Sequence, residues 1–396
     1  MFESLLDLAS NGITHSGLGA KLLFLLVMTQ LTILTVTLYL HRSQSHRSVD
    51  FHPALAHFFR FWSWLTTAMV TKEWVAIHRK HHAHCETELD PHSPQVFGIG
   101  KLVWNGTELY MEARADRSLL TKFGSGTRDD WIERHLYTRH CNWGPTALAL
   151  LEIALFGVGG MAIWAIQMMW IPFWGAGVVN GIGHWWGYRN FDTADRSTNL
   201  MPIAMWVGGE ELHNNHHAFP SSAKFSVRRF EFDLGWLVIR ILAMLNLAHV
   251  KRVASVLDSR SREPIRAGKP LQTSLTERVR LMTKFFRDVM LPIVREESRG
   301  SRADVPSMRL RHALANGGRW LNDDDRWRLN AWTDARPRLR IVCNFRTQLA
   351  LLMEQRDIGE GAQALSRWVR AARDSRINPL VVFAAALAAD AMADLP

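Results

Sequence analysis

The chain has 396 residues, 47 Lys and Arg against 37 Asp and Glu for a net charge of +10, and a mean hydropathy of −0.08. Three cysteines spread far apart with no CxxC spacing argue against a disulfide framework, a zinc knuckle and a cysteine-held iron–sulfur cluster. Residues 251–396 hold 27 basic against 17 acidic side chains, so the whole positive excess lies there and the remainder is neutral.

The first twenty residues carry Glu3 and Asp7 and lack the basic start and small-residue cleavage site of a signal peptide. Residues 22–40, "LLFLLVMTQLTILTVTLYL", are nineteen residues without a charge, close to the ~20 that a helix needs to cross hydrocarbon. Residues 51–70, "FHPALAHFFRFWSWLTTAMV", are apolar but contain Arg60 and two histidines. Were they to cross, the histidines at 41 and 46 would lie on the opposite face from those at 78–82, so an amphipathic helix in the interface is the preferred reading. Residues 153–189 carry no charge until Arg189 and read as a helical hairpin turning near residues 167–172. Three crossings are expected. Arg42, Arg47, Lys72, Arg79 and Lys80 flank the spans on the histidine side, which places that side in the cytoplasm and the N-terminus outside.

Four pieces then share one membrane face: "HRSQSH" at 41–46, "HRKHH" at 78–82, "NGIGH" at 180–184 and "HNNHH" at 213–217. In "HRKHH" and "HNNHH" the i, i+3, i+4 spacing puts three imidazoles on one helix face. His41 and His46 are five apart, about 140° on an ideal helix, so the helix is expected to end or loosen there. Asn180 and His184 are again i, i+4 and join the membrane hairpin to the soluble histidines. Nine imidazoles exceed the four ligands of a tetrahedral zinc site, so two metals fit better than one. Imidazole suits Zn, Cu, Fe and Ni alike, so the residues leave the element open. His15, His57, His135, His140, His249 and His312 stand alone and read as surface or packing residues, while His52, His84 and His92 are uncertain neighbours of the boxes.

Through "LHRSQSHRS", "EWVAIHRKHHAHCETELDPHSP", "NGIGHWWGYRNFDT" and "GGEELHNNHHAFPSSAKFS", residues 22–250 resemble the membrane-bound fatty acyl desaturases of the stearoyl-CoA type, especially bacterial relatives acting on membrane lipids. The resemblance implies two irons held by His41, His46, His78, His81, His82, His184, His213, His216 and His217, with Asn180 reaching one iron through water. Asp90, Glu210 and Glu211 are candidates to accept the outer ring N–H groups and fix the tautomers. Trp74, Trp185, Trp186 and Trp206 are candidates for an acyl tunnel. It also implies an O2-dependent reaction that inserts a cis double bond, expected at Δ9, into a saturated acyl chain carried on phospholipid or CoA. Against the animal acyl-CoA enzymes, the span preceding the first histidine box is not found in residues 1–21, and the tail lies outside the matched region.

The expected fold is all-α: residues 1–250 form a membrane-embedded di-iron domain with a cytoplasmic histidine-rich helical cap, and residues 251–396 a basic cytoplasmic helical tail. The terminal "LVVFAAALAA" is too short to span. No GxGxxG, clustered cysteines or "HPGG" haem motif occurs, so electrons must come from outside, as from a ferredoxin and a flavoprotein reductase. Nucleic-acid binding has no motif behind it, and a bacterial inner membrane is the expected location. A di-iron alkyl or acyl hydroxylase remains the alternative, ahead of a metal-binding transporter, which would hold its ligands at mid-membrane rather than at span ends.

Overall fold

The structure is a computed structural model and describes residues 2–254, 275–298, 313–314, 321, 323–353 and 358–392; His312 and the rest of the tail lie outside the described residues. The chain divides into two units, residues 1–190 with 195–256, and residues 191–194 with 257–396. Most of what is described is helical, with four short strands in two pairs among the described residues: β1 (Val49–Phe51) antiparallel to β4 (Ala248–Val250), and β2 (Ile203–Ala204) parallel to β3 (Phe232–Asp233).

In the first unit, α1 (Phe2–Asn11) precedes α2 (Leu18–Thr35), which runs on through Val36–Ser45 as a helix of wider i→i+5 turns. Leu18–Ser45 is one helix of 28 residues, about 42 Å at 1.5 Å per residue against about 30 Å of hydrocarbon. The Thr29 and Thr32 hydroxyls donate to the Leu25 and Met28 carbonyls at 2.8 and 2.9 Å, so neither is left unpaired in an apolar helix. Where the sequence called for loosening, the helix widens: the His46 N–H donates to the His41 carbonyl, five residues back, at 3.1 Å. An i→i+5 ladder stacks residues five apart, which brings the two rings to 4.9 Å.

The segment that tempts a hydropathy reading is α3 (Pro53–Thr67), fifteen residues long. Its Arg60 points inward, bidentate on Asp130 at 2.7 and 2.8 Å and bonded to Glu133 at 2.9 Å. Next come α4 (Thr71–His84), α5 (Pro94–Phe97), α6 (Ile99–Ala115) and α7 (Arg117–Phe123). His46 and His78 touch through their Nε2 atoms at 2.8 Å. A membrane crossing by α3 would have separated them.

The expected hairpin exists, but its turn is not near residues 167–172. The chain reverses at Gly157, between α8 (Trp143–Phe156) and α9 (Val158–Ile171). Gly157 has φ 62 and ψ −140, and a Cβ there would meet the Ala9 carbonyl oxygen and Ser10 at 2.6 Å. Only glycine reverses the chain so tightly under α1. Pro172, within the expected turn, instead opens a second stretch of wide turns, Pro172–Gly181, leading into Ile182–His184. Changing the ladder at the residue that lacks an N–H lets the helix continue. Of the three expected crossings, Leu18–Ser45 and Val158–His184 are long and apolar enough to span, and α8 is shorter.

The cations taken as markers of the inner face prove partly structural. Arg42 is fully buried, bonded to Asp233 at 3.0 Å, to the Ala223 and Gly208 carbonyls at 2.9 and 3.1 Å, and stacked on Phe225. Arg79 donates to the Gln44, Ser45, Phe123 and Ser125 carbonyls. Both knit loops together, so neither is a free charge for setting orientation. After α10 (His213–Ala218) and α11 (Leu234–Met244), the first unit ends on bonds from the Lys251 N–H to the Ser48 carbonyl at 2.9 Å, from the Ala223 N–H to the Arg252 carbonyl at 2.9 Å, and from the Ala254 N–H to Ser222 Oγ at 3.0 Å.

The second unit is helical. Phe285, Val289, Met290 and Ile293 share a core with Leu339, Val342, Trp368, Leu380 and Phe383. The terminal apolar run belongs to the helix Asn378–Met392, whose Leu380, Phe383, Ala384 and Leu387 face that core at helical spacing.

Candidate metal centre

The nine histidines named from the sequence arrive on four elements: His41 and His46 at the end of the wide-turn helix, His78, His81 and His82 on α4, His184 at the end of the second wide-turn helix, and His213, His216 and His217 on α10. The structure brings them together in two groups. In the first, His41 and His82 each place Nε2 at 3.0 Å from His216 Nε2, and His46 pairs with His78. In the second, His184 Nε2 lies 3.0 Å from His213 Nε2, and His81 and His217 rings lie 5.1 and 4.7 Å from the His184 ring.

α10 is only six residues and wholly buried. The two asparagines of "HNNHH" hold it there. Asn215 accepts from the side chains of Asn190 and Asn199 at 2.8 and 3.0 Å and donates to the Phe225 carbonyl and to Glu231. Asn214 accepts from the Asn190 N–H at 2.8 Å.

Four rings give Nδ1 to a carboxylate: His41 to Glu210 at 2.6 Å, His81 to Asp90 at 3.0 Å, His184 to Glu86 at 3.1 Å and His217 to Asp195 at 3.0 Å. A ring that donates from Nδ1 presents Nε2 as a lone pair. Of the carboxylates proposed from sequence, Asp90 and Glu210 hold rings. Glu211 does not; it accepts the Val207 and Gly209 N–H groups at 2.8 and 3.1 Å and pins the tight turn before α10. Glu86 and Asp195 were missed. Glu86 sits four residues after the second box in a turn with φ 61, and Asp195 lies in a loop outside the boxes, so only the closed fold reveals either.

Burial, then the neighbouring imidazoles, keeps His78, His82, His213 and His216 titrating well below 6.5. His217 falls to about 4 through burial, although Asp195 works against it. His81 is opposed by burial, but the Asp90 carboxylate outweighs this and raises it. Asp195 and Glu210 are lowered despite burial by the imidazoles they face. Near neutral pH the depressed rings are therefore uncharged, which is the ligand form.

Two ring nitrogens at about 2.0–2.1 Å from one ion stand about 3 Å apart when their bonds meet at a right angle, which matches these pairs. His217 Nε2 is buried without a hydrogen-bond partner, as a ligand nitrogen would be. The described residues thus hold histidine groups able to bind a metal.

Against these groups opens a cavity of about 550 Å³, with His41, His78, His213, Glu210 and Asn180 at the site and Ile33, Val36, Ile77, Ile171, Val179 and Val207 along its walls. Asn180 is at the cavity surface rather than in either histidine group. Trp74 lines the cavity, as does Trp174, which the sequence reading did not name. Trp185, Trp186 and Trp206 do not line it: all three are at least half exposed. Nearness in sequence to a histidine box misled there, because these side chains point out of the fold.

The fatty acid desaturase family model matches residues 18–232, which contain every one of these histidines. The chain is 33% identical over 218 residues to the sn-1 stearoyl-lipid 9-desaturase of Anabaena variabilis, covering 54% of this chain and 77% of that protein. It is 33% identical over 228 residues to an acyl-CoA C20 Delta5-desaturase of Anemone leveillei, covering 57% and 71%. A probable chloroplastic lipid desaturase of Arabidopsis thaliana is 32% identical over 222 residues, and the chain spans 58% of its length. With its histidines gathered beside an apolar cavity and its matched segment running through all four boxes, the chain belongs to the fatty acid desaturase family.

Proposed function

We propose that the protein is an O2-dependent acyl desaturase that inserts a cis double bond at Δ9 of a saturated chain carried on membrane phospholipid, with acyl-CoA as the other carrier. The observation that carries this is the convergence of nine histidines from four elements on one end of an apolar cavity. The name of the Anabaena relative, a stearoyl-lipid 9-desaturase, supports the Δ9 position and the lipid carrier, whereas the Anemone relative is named for the Delta5 position and a CoA ester.

His41, His46, His78, His82 and His216 would hold one iron, and His81, His184, His213 and His217 the other, with Asn180 placed to hold a water toward the substrate side. Bound iron, given dioxygen, two electrons and two protons, supplies the oxidising power to turn –CH2–CH2– into –CH=CH– with release of two waters. The chain's own residues do the rest. Glu86, Asp90, Asp195 and Glu210 fix four ring planes; the apolar walls exclude water from the reacting methylenes and align one C–C bond with the histidines. No electron carrier is built from the residues described, so a ferredoxin with a flavoprotein reductase is the proposed donor. The two apolar helices and the family place the protein at a membrane; we assign the site to the cytoplasmic face of a bacterial inner membrane, residues 1–250 to the di-iron domain and the basic tail beyond to the same face.

The test is lipid analysis of cells expressing the chain with a competent donor, with double-bond position fixed by derivatisation and phospholipid and acyl-CoA pools separated. New Δ9 monoenes appearing first in intact phospholipid are expected. First appearance in acyl-CoA would move the substrate to the thioester, and hydroxylated chains would replace desaturation by hydroxylation.

A further inference from the structure

We propose that the open end of the cavity is a headgroup site in which Arg114 binds the phosphate of a glycerophospholipid and Tyr110 its acyl ester; this rests on the acyl reading of the cavity above. Among the described residues that line the cavity, only Thr107, Met111 and Asn142 are exposed. They mark where it meets the surface. Thr107, Tyr110, Met111 and Arg114 all line it from α6, and their i, i+3, i+4, i+7 spacing puts them on one face of that helix.

Arg114 is the single arginine or lysine among those lining residues. Its Nε lies 2.9 Å from one Glu73 oxygen and its Nη2 donates to the other at 3.3 Å, while its Nη1 faces the Met111 sulfur at 3.6 Å. A thioether is a weak acceptor, and a phosphate oxygen would displace it with a charge-assisted bond. The Tyr110 hydroxyl is buried and has no hydrogen-bond partner, as befits a donor whose acceptor arrives with a ligand. Glu73 stands on α4 five residues before His78, about 7.5 Å along the axis. Headgroup and histidines thus occupy different stretches of one cavity, as an ester and a reacting bond several methylenes away require.

The spacing of charges chooses the carrier. In a glycerophospholipid the phosphate lies a few bonds from the acyl ester, so a guanidinium and a hydroxyl on adjacent turns of α6 can hold both. In a CoA ester the pantetheine arm carries the phosphates far beyond the thioester, and Arg114, already paired with Glu73, would meet none of them.

The experiment measures equilibrium binding of tritiated distearoyl phosphatidylglycerol, distearoylglycerol and stearoyl-CoA to the purified full-length protein in a neutral detergent. It compares wild type with Arg114→Gln, Arg114→Lys, Tyr110→Phe and Arg134→Gln, the last an exposed arginine outside the cavity. Wild type and Arg134→Gln should bind phosphatidylglycerol about 10-fold or more tightly than distearoylglycerol. Arg114→Gln should close that gap without weakening distearoylglycerol, Arg114→Lys should keep part of it, and Tyr110→Phe should weaken both lipids together. A purely structural arginine would lower both lipids equally when replaced; that result, or an unchanged gap in Arg114→Gln, overturns the proposal. So does stearoyl-CoA binding more tightly than phosphatidylglycerol and losing its affinity in Arg114→Gln. Binding of none of the three by wild type overturns the acyl reading and this inference with it. The expected binding pattern beside unaltered lipids in the expressing cells overturns the desaturase reading alone.

Discussion

His81 and His216 are each the centre of a ring contact network, and neither can be removed without stranding its neighbours. His81→Ala or His216→Ala should lose iron and desaturation together while the protein still inserts in the membrane, read by metal analysis of the purified variant. The carboxylates act one step out. Glu86→Gln and Asp195→Asn should weaken metal affinity about 10- to 100-fold, measured by titration against a chelator, whereas Glu211→Gln should lower the melting temperature and leave affinity alone. Acid has a definite sign here. His217 is held near 4 against about 6.5 unfolded, so between those values the unfolded chain binds more protons and stability is lost as pH falls. Metal-free protein should therefore melt lower at pH 5.5 than at pH 7.5, and bound metal, whose imidazole ligands must stay deprotonated, should widen the difference. The two histidine triplets were legible because i, i+3, i+4 spacing is a local property of helices. Glu86 and Asp195 were not, since what makes them matter is a neighbour that arrives from elsewhere in the chain.

At the level of elements, the wide turns at both histidine-bearing helix ends were half visible: the five-residue separation of His41 and His46 signalled a departure from α geometry, without saying which. The hairpin was expected to turn near residues 167–172, but the reversal needs a positive φ and a close approach of backbone, and Gly157 has both. Gly157→Ala should destabilise by more than about 1 kcal/mol, since the new Cβ is strained in φ and in contact. Gly19→Ala, in α2 with nothing within 4 Å of the added carbon, should be neutral or slightly stabilising. Thermal melting in detergent of the two variants side by side checks the pair.

For the whole molecule, the composition alone separated a neutral body from a basic tail, but it could not show that residues 251–254 still serve the body. Their hydrogen bonds to Ser48, Ser222 and Ala223 make the position of a truncation matter. Removal of everything after Val256 should leave metal content intact, and removal after Val250 should lower the melting temperature by breaking those three bonds; loss of metal in the longer form would show that the second unit supports the site. The division of histidines between the two groups also sets an order of assembly on the ribosome, where chains emerge and fold from the N-terminus. Once residue 82 has emerged, the first position has four of its five rings and awaits His216. The second then has His81 alone and gains no other imidazole until the hairpin has been threaded and His184 follows. Loading thus begins asymmetrically, and α10, arriving last, closes both positions at once.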